Sequence, residues 1–212
     1  MPPLPQRTRM FGGGRVRVHG PLRVGRAATK RSSLAAATVK TGRSGQLVFV
    51  IVRSEIEQDG VLRVSEEQDF VYRSGSRPAV AHRPPNRVQV TAGAPWQQAF
   101  IADSVKLFRM SALTANSHRI HYDEPYTRGV EQFPALVVHG PLLALVMARL
   151  AERHSGARTI ETFDYRLLTP AFVDEPLLCV GTPDDDRGRS ASLAVHVTTD
   201  TPAAVATVVY RA

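Results

Sequence analysis

Apolar residues along the chain follow two spacings. From Gly14 to Tyr72 they alternate with polar residues or gather in short β-branched runs, the spacing of strands. Gly14 to His19 alternates through Arg15, Val16, Arg17 and Val18 as a short strand, and the Pro- and Arg-rich Met1 to Arg9 ahead of it is expected to be disordered. Ala27 to Thr41 is a small, polar strand candidate ending at Gly42-Arg43-Ser44-Gly45. Leu47 to Ile56 is strongly β, Asp59-Gly60 is a two-residue hairpin signal, and Val61 to Tyr72 returns as the partner strand. The whole stretch reads as an antiparallel meander without a helix. Ser74 to Pro95, with Pro84-Pro85-Asn86, reads as an extended linker. Trp96 to Met110 reads as mostly strand, with a short helical turn near Glu124-Pro125. The second spacing is helical. Leu142 to Leu150 is apolar nearly all round, so Gly140 to about Ser155 predicts a buried helix, opened by Gly140-Pro141 and stopped by Gly156. Four strand candidates follow: Ala157 to Leu168, Glu175 to Thr182, Ser190 to Thr198 and Ala203 to Tyr210, with a hairpin loop at Asp184 to Gly188.

The chemistry concentrates between Phe108 and Pro141. Asn116, His118, Arg119 and His121 pack four polar groups into six residues, and imidazole is the side chain that exchanges a proton near neutrality. Val137-Val138-His139-Gly140-Pro141 is a β-branched run that breaks into a helix start. A helix start leaves N–H groups and a positive dipole end free, and these can stabilise charge developing on a thioester carbonyl oxygen. One piece would move a proton, the other would hold an oxyanion.

The run Ser111-Ala112-Leu113-Thr114-Ala115-Asn116-Ser117-His118-Arg119-Ile120-His121-Tyr122-Asp123 resembles the MaoC-like acyl-thioester hydratases and dehydratases. It is closest to the branch of 3-methylfumaryl-CoA (mesaconyl-CoA) hydratases and hydroxyacyl-thioester dehydratases type 2. The wider family's motif is Asp-x-Asn-Pro-x-His. Lined up on His121, Asn116 stands in place of the Asp, His118 of the Asn and Arg119 of the Pro. An amide cannot take a proton, so a two-residue acid–base account does not carry over unchanged. The resemblance implies an α+β double hot-dog fold: 1–73 a partial N-terminal unit with strands and no first helix, 74–95 a linker, and 96–212 a complete unit. Relatives carry roughly another half-unit upstream, so the chain is expected to be truncated, by start-site choice or by evolution, leaving an apolar face on the meander.

The implied activity is a hydro-lyase acting across C2=C3 of an enoyl thioester, with a short dicarboxylyl-CoA as substrate. The alternatives are a fatty-acid-type 3-hydroxyacyl dehydratase working on CoA or acyl-carrier-protein thioesters, and a non-catalytic thioester-binding subunit. His121 is the expected proton-transfer group, against a surface or capping histidine. Asn116 holds water or thioester, against an Asx-turn. Gly140 offers its N–H, beside a packing role at the helix start. His118, Arg119 and His139 are the expected substrate-binding residues, with Arg119 gripping an anion or merely solvated, His139 alternatively backing the site from just before the helix, and Asp123 a helix cap ahead of a group orienting a histidine. No cofactor is called for, since coenzyme A is part of the substrate. No metal is expected either: His118, His121 and Asp123 lack the spacing of a zinc helix. The expected assembly is a homodimer or a pairing with a partner subunit.

Composition narrows this further. Of 27 Lys and Arg, 11 lie in Met1 to Arg53 with no Asp or Glu, leaving 16 basic against 19 acidic residues in the remainder. The formal +8 therefore belongs to the N-terminal quarter. A targeting helix is broken there by Pro2, Pro3, Pro5 and Gly12 to Gly14. Nucleic-acid binding would want interleaved aromatics, and Phe11 stands alone before Phe49. A face for an anionic ligand and a solvated surface remain. The single cysteine, Cys179, excludes an intramolecular disulfide and suits a reducing compartment. The expected location is the cytoplasm, or the mitochondrion in a eukaryote. No apolar run reaches the length of a membrane span.

Overall fold

The computed structural model describes residues 8–42, 45–73, 94–185, 187–197 and 202–211. Residues 1–7, most of the expected linker (74–93), the Arg43-Ser44 tip and Asp186 lie outside them. Among the described residues nine antiparallel strands form one sheet in the order β2-β3-β4-β1-β6-β9-β8-β7-β5. They are β1 (Thr8–Val18), β2 (Thr29–Gly42), β3 (Gly45–Gln58), β4 (Val61–Arg73), β5 (Trp96–Ile101), β6 (Thr159–Leu167), β7 (Pro176–Pro183), β8 (Ser190–His196) and β9 (Pro202–Arg211). Asp59 and Gly60 both take positive φ, 55° and 73°, as a tight turn matched to strand twist requires.

The first four strands make the expected meander, but β1 starts six residues before Gly14. Its pairing with β4 shifts between Phe11 and Gly13, a bulge that accommodates the glycine run within a strand. Gly13 has φ 148°, and a Cβ there would overlap the Tyr165 carbonyl oxygen of β6. Glycine is what lets β1 lie against β6, from Gly13↔Arg166 to Arg17↔Thr162. That pairing joins the two halves of the sheet.

The helices all fall between Ser104 and Arg153 among the described residues: α1 (Ser104–Leu113), α2 (Glu124–Gly129) and α3 (Gly140–Arg153), with a 3-10 turn at Arg119–His121. The strand-like reading of Trp96 to Met110 is corrected here, because the strand stops at Ile101. Asp103 caps α1, its carboxylate accepting from Lys106 N–H at 2.8 Å, and Leu107 and Ser111, one turn apart, face inward. A good N-cap and a buried i, i+4 pair outweigh the β propensity of Val105 and Phe108.

Helix α3 buries Leu143, Ala144, Val146, Met147, Leu150 and Ala151 against Phe163, Leu177, Cys179, Leu193, Val195, Val208 and other residues of the curved sheet. Each large side chain so buried contributes about 1.5–3 kcal/mol. Only Leu145, Arg149 and neighbours on one edge reach solvent, so the helix is buried on most of its circumference. Strand, helix and four strands in succession are the expected hot-dog order. The meander differs: along β2 nearly every side chain is exposed, Leu34 and Val39 among them.

Candidate active site

Helix α1 ends in a Schellman cap. Asn116 N–H bonds Ser111 O at 2.9 Å and Ala115 N–H bonds Ala112 O. Ala115 occupies the left-handed position at φ 49°, where a residue with a Cβ costs about 1–2 kcal/mol. The cap turns the chain so that Asn116 follows at once. Its Oδ1 accepts from His118 N–H at 3.1 Å, the Asx-turn, while the side chain also lines a cavity. The turn Arg119–His121 then buries Ile120 and His121.

Val137 anchors that turn. Its N–H bonds Ile120 O at 2.9 Å, and its carbonyl accepts from His121 Nδ1 at 2.8 Å. The β-branched stretch is held extended between the motif and the 171–173 segment, through Val138 N–H to Ala171 O and Val173 N–H to Leu136 O. With Nδ1 donating to a carbonyl, the neutral His121 carries its lone pair on Nε2. Burial above all, then His139, with smaller contributions from His118 and Arg9, pushes His121 down to about 3; the Val137 bond works the other way. At neutral pH it is an uncharged acceptor of protons.

His139 takes the backing place open to it from the sequence and is not a substrate-binding residue. It is fully buried and absent from the cavity lining. Its ring stacks on His121 with centroids 3.7 Å apart and planes at 15°, and Nε2 meets Ser111 Oγ at 2.9 Å. Burial, then His118, lowers it to about 4. It backs the His121 ring and contacts no open volume. Arg119 is also outside the cavity lining. Its guanidinium pairs with Asp123 at 2.7 Å and lies over the Tyr126 ring. Asp123 caps α2, accepting from Tyr126 N–H at 3.1 Å. His118 lines the cavity and meets His121 edge to face.

The cavity has a volume of about 620 Å³ and lies between the meander and the α3 unit. His121, Asn116, His118 and the Gly140-Pro141 helix start all line it. At α3, His139 gives no side-chain cap. Leu142 and Leu143 N–H both turn back to His139 O, and Pro141 has no N–H. Gly140 is thus the helix-start amide left for a ligand. A Cβ on Gly140 would overlap Leu167 Cδ1 and crowd Phe11, so the packing role also holds. Sequence reasoning did not single out Arg9, Phe11, Phe70, Glu131 or Thr169, which complete the wall. Register is the one signal for the first three: Phe11 pairs with Phe70 and Arg9 with Tyr72, placing them on one face of the sheet. Among the described residues, no group of three or more His, Cys, Asp or Glu side chains gathers as a metal site. Cys179 is buried in the core, and burial pushes its thiol up to about 12, which makes it inert.

A family model for hydroxyacyl-thioester dehydratase type 2 matches residues 1–173. The chain belongs to this family. It is 43% identical over 187 residues to a mesaconyl-C(4)-CoA hydratase of Chloroflexus aurantiacus, covering 88% of this chain and 66% of that protein. It is 29% identical over 139 residues to the mitochondrial hydroxyacyl-thioester dehydratase type 2 of Schizosaccharomyces pombe, covering 64% and 45%. The chain thus spans between about half and two-thirds of the length of these curated relatives. Among solved structures, a MaoC-like dehydratase from Phytophthora capsici superposes with a TM-score of 0.73 at 16% identity, over 100% of this chain and 74% of that one. A Mycobacterium tuberculosis protein with a double hot-dog fold gives 0.66 at 12%, over 95% and 74%. The α+β hot-dog fold of this family member follows, and no helix among its described residues is long and apolar enough to cross a membrane.

Proposed function

We propose that the protein is a hydro-lyase that adds water to, or removes it from, the C2=C3 bond of an enoyl thioester, with a short dicarboxylyl-CoA as substrate. The observation that carries this is the meeting of the His121 imidazole, Asn116 and the Gly140 amide on one cavity. In the hydration direction, Asn116 holds a water and His121 Nε2 takes its proton as the oxygen bonds to C3. The π electrons move to the thioester oxygen, where the Gly140 N–H and the positive end of α3 stabilise the enolate. The imidazolium then returns the proton to C2, and the atoms balance. An imidazole held near 3 is a weak base alone. Negative charge developing beside it favours its protonated form and raises it as the reaction proceeds.

The neighbouring reading, a carrier-protein thioester, uses the same groups. The likeness to the mesaconyl-C(4)-CoA hydratase of Chloroflexus aurantiacus supports the CoA form. We further propose a cytoplasmic or mitochondrial location and a homodimer or a pairing with a partner subunit, the latter supported by the exposed apolar Leu34 and Val39. The test is turnover of 3-methylfumaryl-CoA and crotonyl-CoA followed by loss of the enoyl absorbance. Binding without turnover by the folded protein would favour a non-catalytic subunit.

A further inference from the structure

Five of the seven described arginines from Arg9 to Arg53 are paired with carboxylates. Arg15 is bonded to Glu67 at 2.9 Å and Asp69 at 2.6 Å, and Arg53 shares Glu67 at 2.5 Å. Arg17 pairs with Asp164, Arg26 with Asp59 and Arg31 with Glu57. Five of the eleven basic residues of this quarter are thus neutralised by carboxylates, and Arg23, Lys30 and Lys40, which form no ion pair among the described residues, lie outside the cavity lining. Arg9 is different. Among the described residues no carboxylate lies within ion-pairing distance of it, and its guanidinium sits 5.6 Å from the centre of the Phe70 ring.

That ring is part of the cavity wall, as are Phe11 and Arg9 itself. Among the described residues Arg9 is the sole Lys or Arg of the lining, and its charge is felt at His121. The single carboxylate of the lining among the described residues, Glu131, is engaged by the Tyr126 hydroxyl at 3.0 Å. A guanidinium laid on an aromatic face keeps its edge N–H groups free for a bidentate anion. Arg9 is also exposed, so it stands where the cavity meets solvent and an anion reaches it without full desolvation.

We propose that Arg9 is the anion-binding residue of this cavity and fixes the substrate class as a thioester carrying a negative group. The inference rests on the thioester-site reading above. Two parts of such a molecule bear that chemistry: a free carboxylate on the acyl group and the phosphates of coenzyme A. Arg9 discriminates between substrates and takes no part in the proton transfer.

The test is calorimetric binding, so it does not depend on turnover. Succinyl and butyryl groups, each on coenzyme A and on N-acetylcysteamine, give four saturated probes with either anion, both or neither. With Arg9→Gln, affinity for the probes that carry the recognised anion falls about 10- to 100-fold, the range of a charge-assisted bond. A loss confined to both succinyl thioesters assigns the acyl carboxylate, and one confined to both coenzyme A thioesters assigns the phosphates. Arg9→Lys, which keeps the charge without the fork, restores part of the affinity. Equal loss on all four probes, or no loss on any, overturns the proposal. If these binding differences appear in a protein that turns over no enoyl thioester, the hydro-lyase reading fails and the anion site stands.

Discussion

The two halves of the sheet are built from similar strands and do opposite things with them. From β6 to β9 the inner face closes on α3, and residues such as Met147, Leu177, Val195 and Val208 are at most 2% exposed. In the meander only Val48 and Tyr72 count as buried apolar residues among those described, while Leu34 is 66% and Val39 61% exposed. The meander is held instead by long strand ladders and by the Arg53–Glu67–Arg15–Asp69 network. One half is a core; the other is a wall. The cavity opens where the wall meets the core, and it draws its reactive groups from the core side and Arg9, Phe11 and Phe70 from the wall. Chemistry that needs ångström positioning sits on the rigid half.

The largest expected effect breaks the core side chemically. His121→Ala should lower kcat for enoyl-thioester hydration by roughly 10²–10⁴-fold, the usual contribution of a positioned acid–base group. Far-ultraviolet circular dichroism should show the fold retained. A variant with near wild-type turnover would remove His121 from the mechanism. Next is the stability contrast. Met147→Ala should cost about 2–5 kcal/mol in urea unfolding through the cavity it leaves, whereas Leu34→Ala should stay within about 0.5 kcal/mol. Equal costs would mean that the meander has a core of its own.

Much of this contrast was legible in the sequence, and the limits of legibility have physical causes. The Asp59-Gly60 turn, the buried run Leu142 to Leu150 and the four closing strands are local signals, and local signals survive folding. Helix α1 was not read from the sequence because Val105 and Phe108 favour a strand, and the Asp103 cap and tertiary burial of Leu107 decide for a helix. The placements of His139 and Arg119 were hidden for another reason. Proximity to a motif in sequence says nothing about which way a side chain points, and the structure turns His139 onto Ser111 and Arg119 onto Asp123. Arg9 lies more than a hundred residues before His121 in sequence, and only the β1–β6 pairing brings the two to one cavity.

The buried imidazoles also make the core half the acid-sensitive one. Both fold with depressed pKa values, about 3 for His121 and about 4 for His139, against about 6.5 unfolded. The unfolded chain therefore binds more protons below pH 6.5. Their contribution to stability is complete above that pH and is lost as pH falls towards 4 and 3, at up to about 1.4 kcal/mol per pH unit for each histidine. Measured between pH 6.5 and 5, before carboxylates titrate, His121→Gln should show a shallower slope than wild type. An unchanged slope would mean that the pair is not the acid sensor. Gly140→Ala tests the seam between wall and core. Its Cβ must displace Leu167 and press on Phe11, moving the helix-start amide, and a shift on the ångström scale should lower kcat about 10- to 100-fold.

The smallest expected effect is the sharpest probe of why His139 is buried. Ser111→Ala removes the bond to His139 Nε2 and alters neither of the two stacked rings itself. The net value of such a bond is about 1 kcal/mol, so unfolding should shift only slightly. His139 Nδ1 has no hydrogen-bond partner among the described residues, so losing Ser111 leaves the ring with no hydrogen bond from them to fix its angle. A ring free to rotate no longer presents a flat face to His121. The consequence should appear in kcat and in the acid limb of the pH–rate profile, with KM unchanged. Ser111→Thr, which keeps the hydroxyl, should recover the wild-type profile. If Ser111→Ala altered stability and KM but left the pH profile alone, His139 would be filler beneath the site, and the stack would be a consequence of packing.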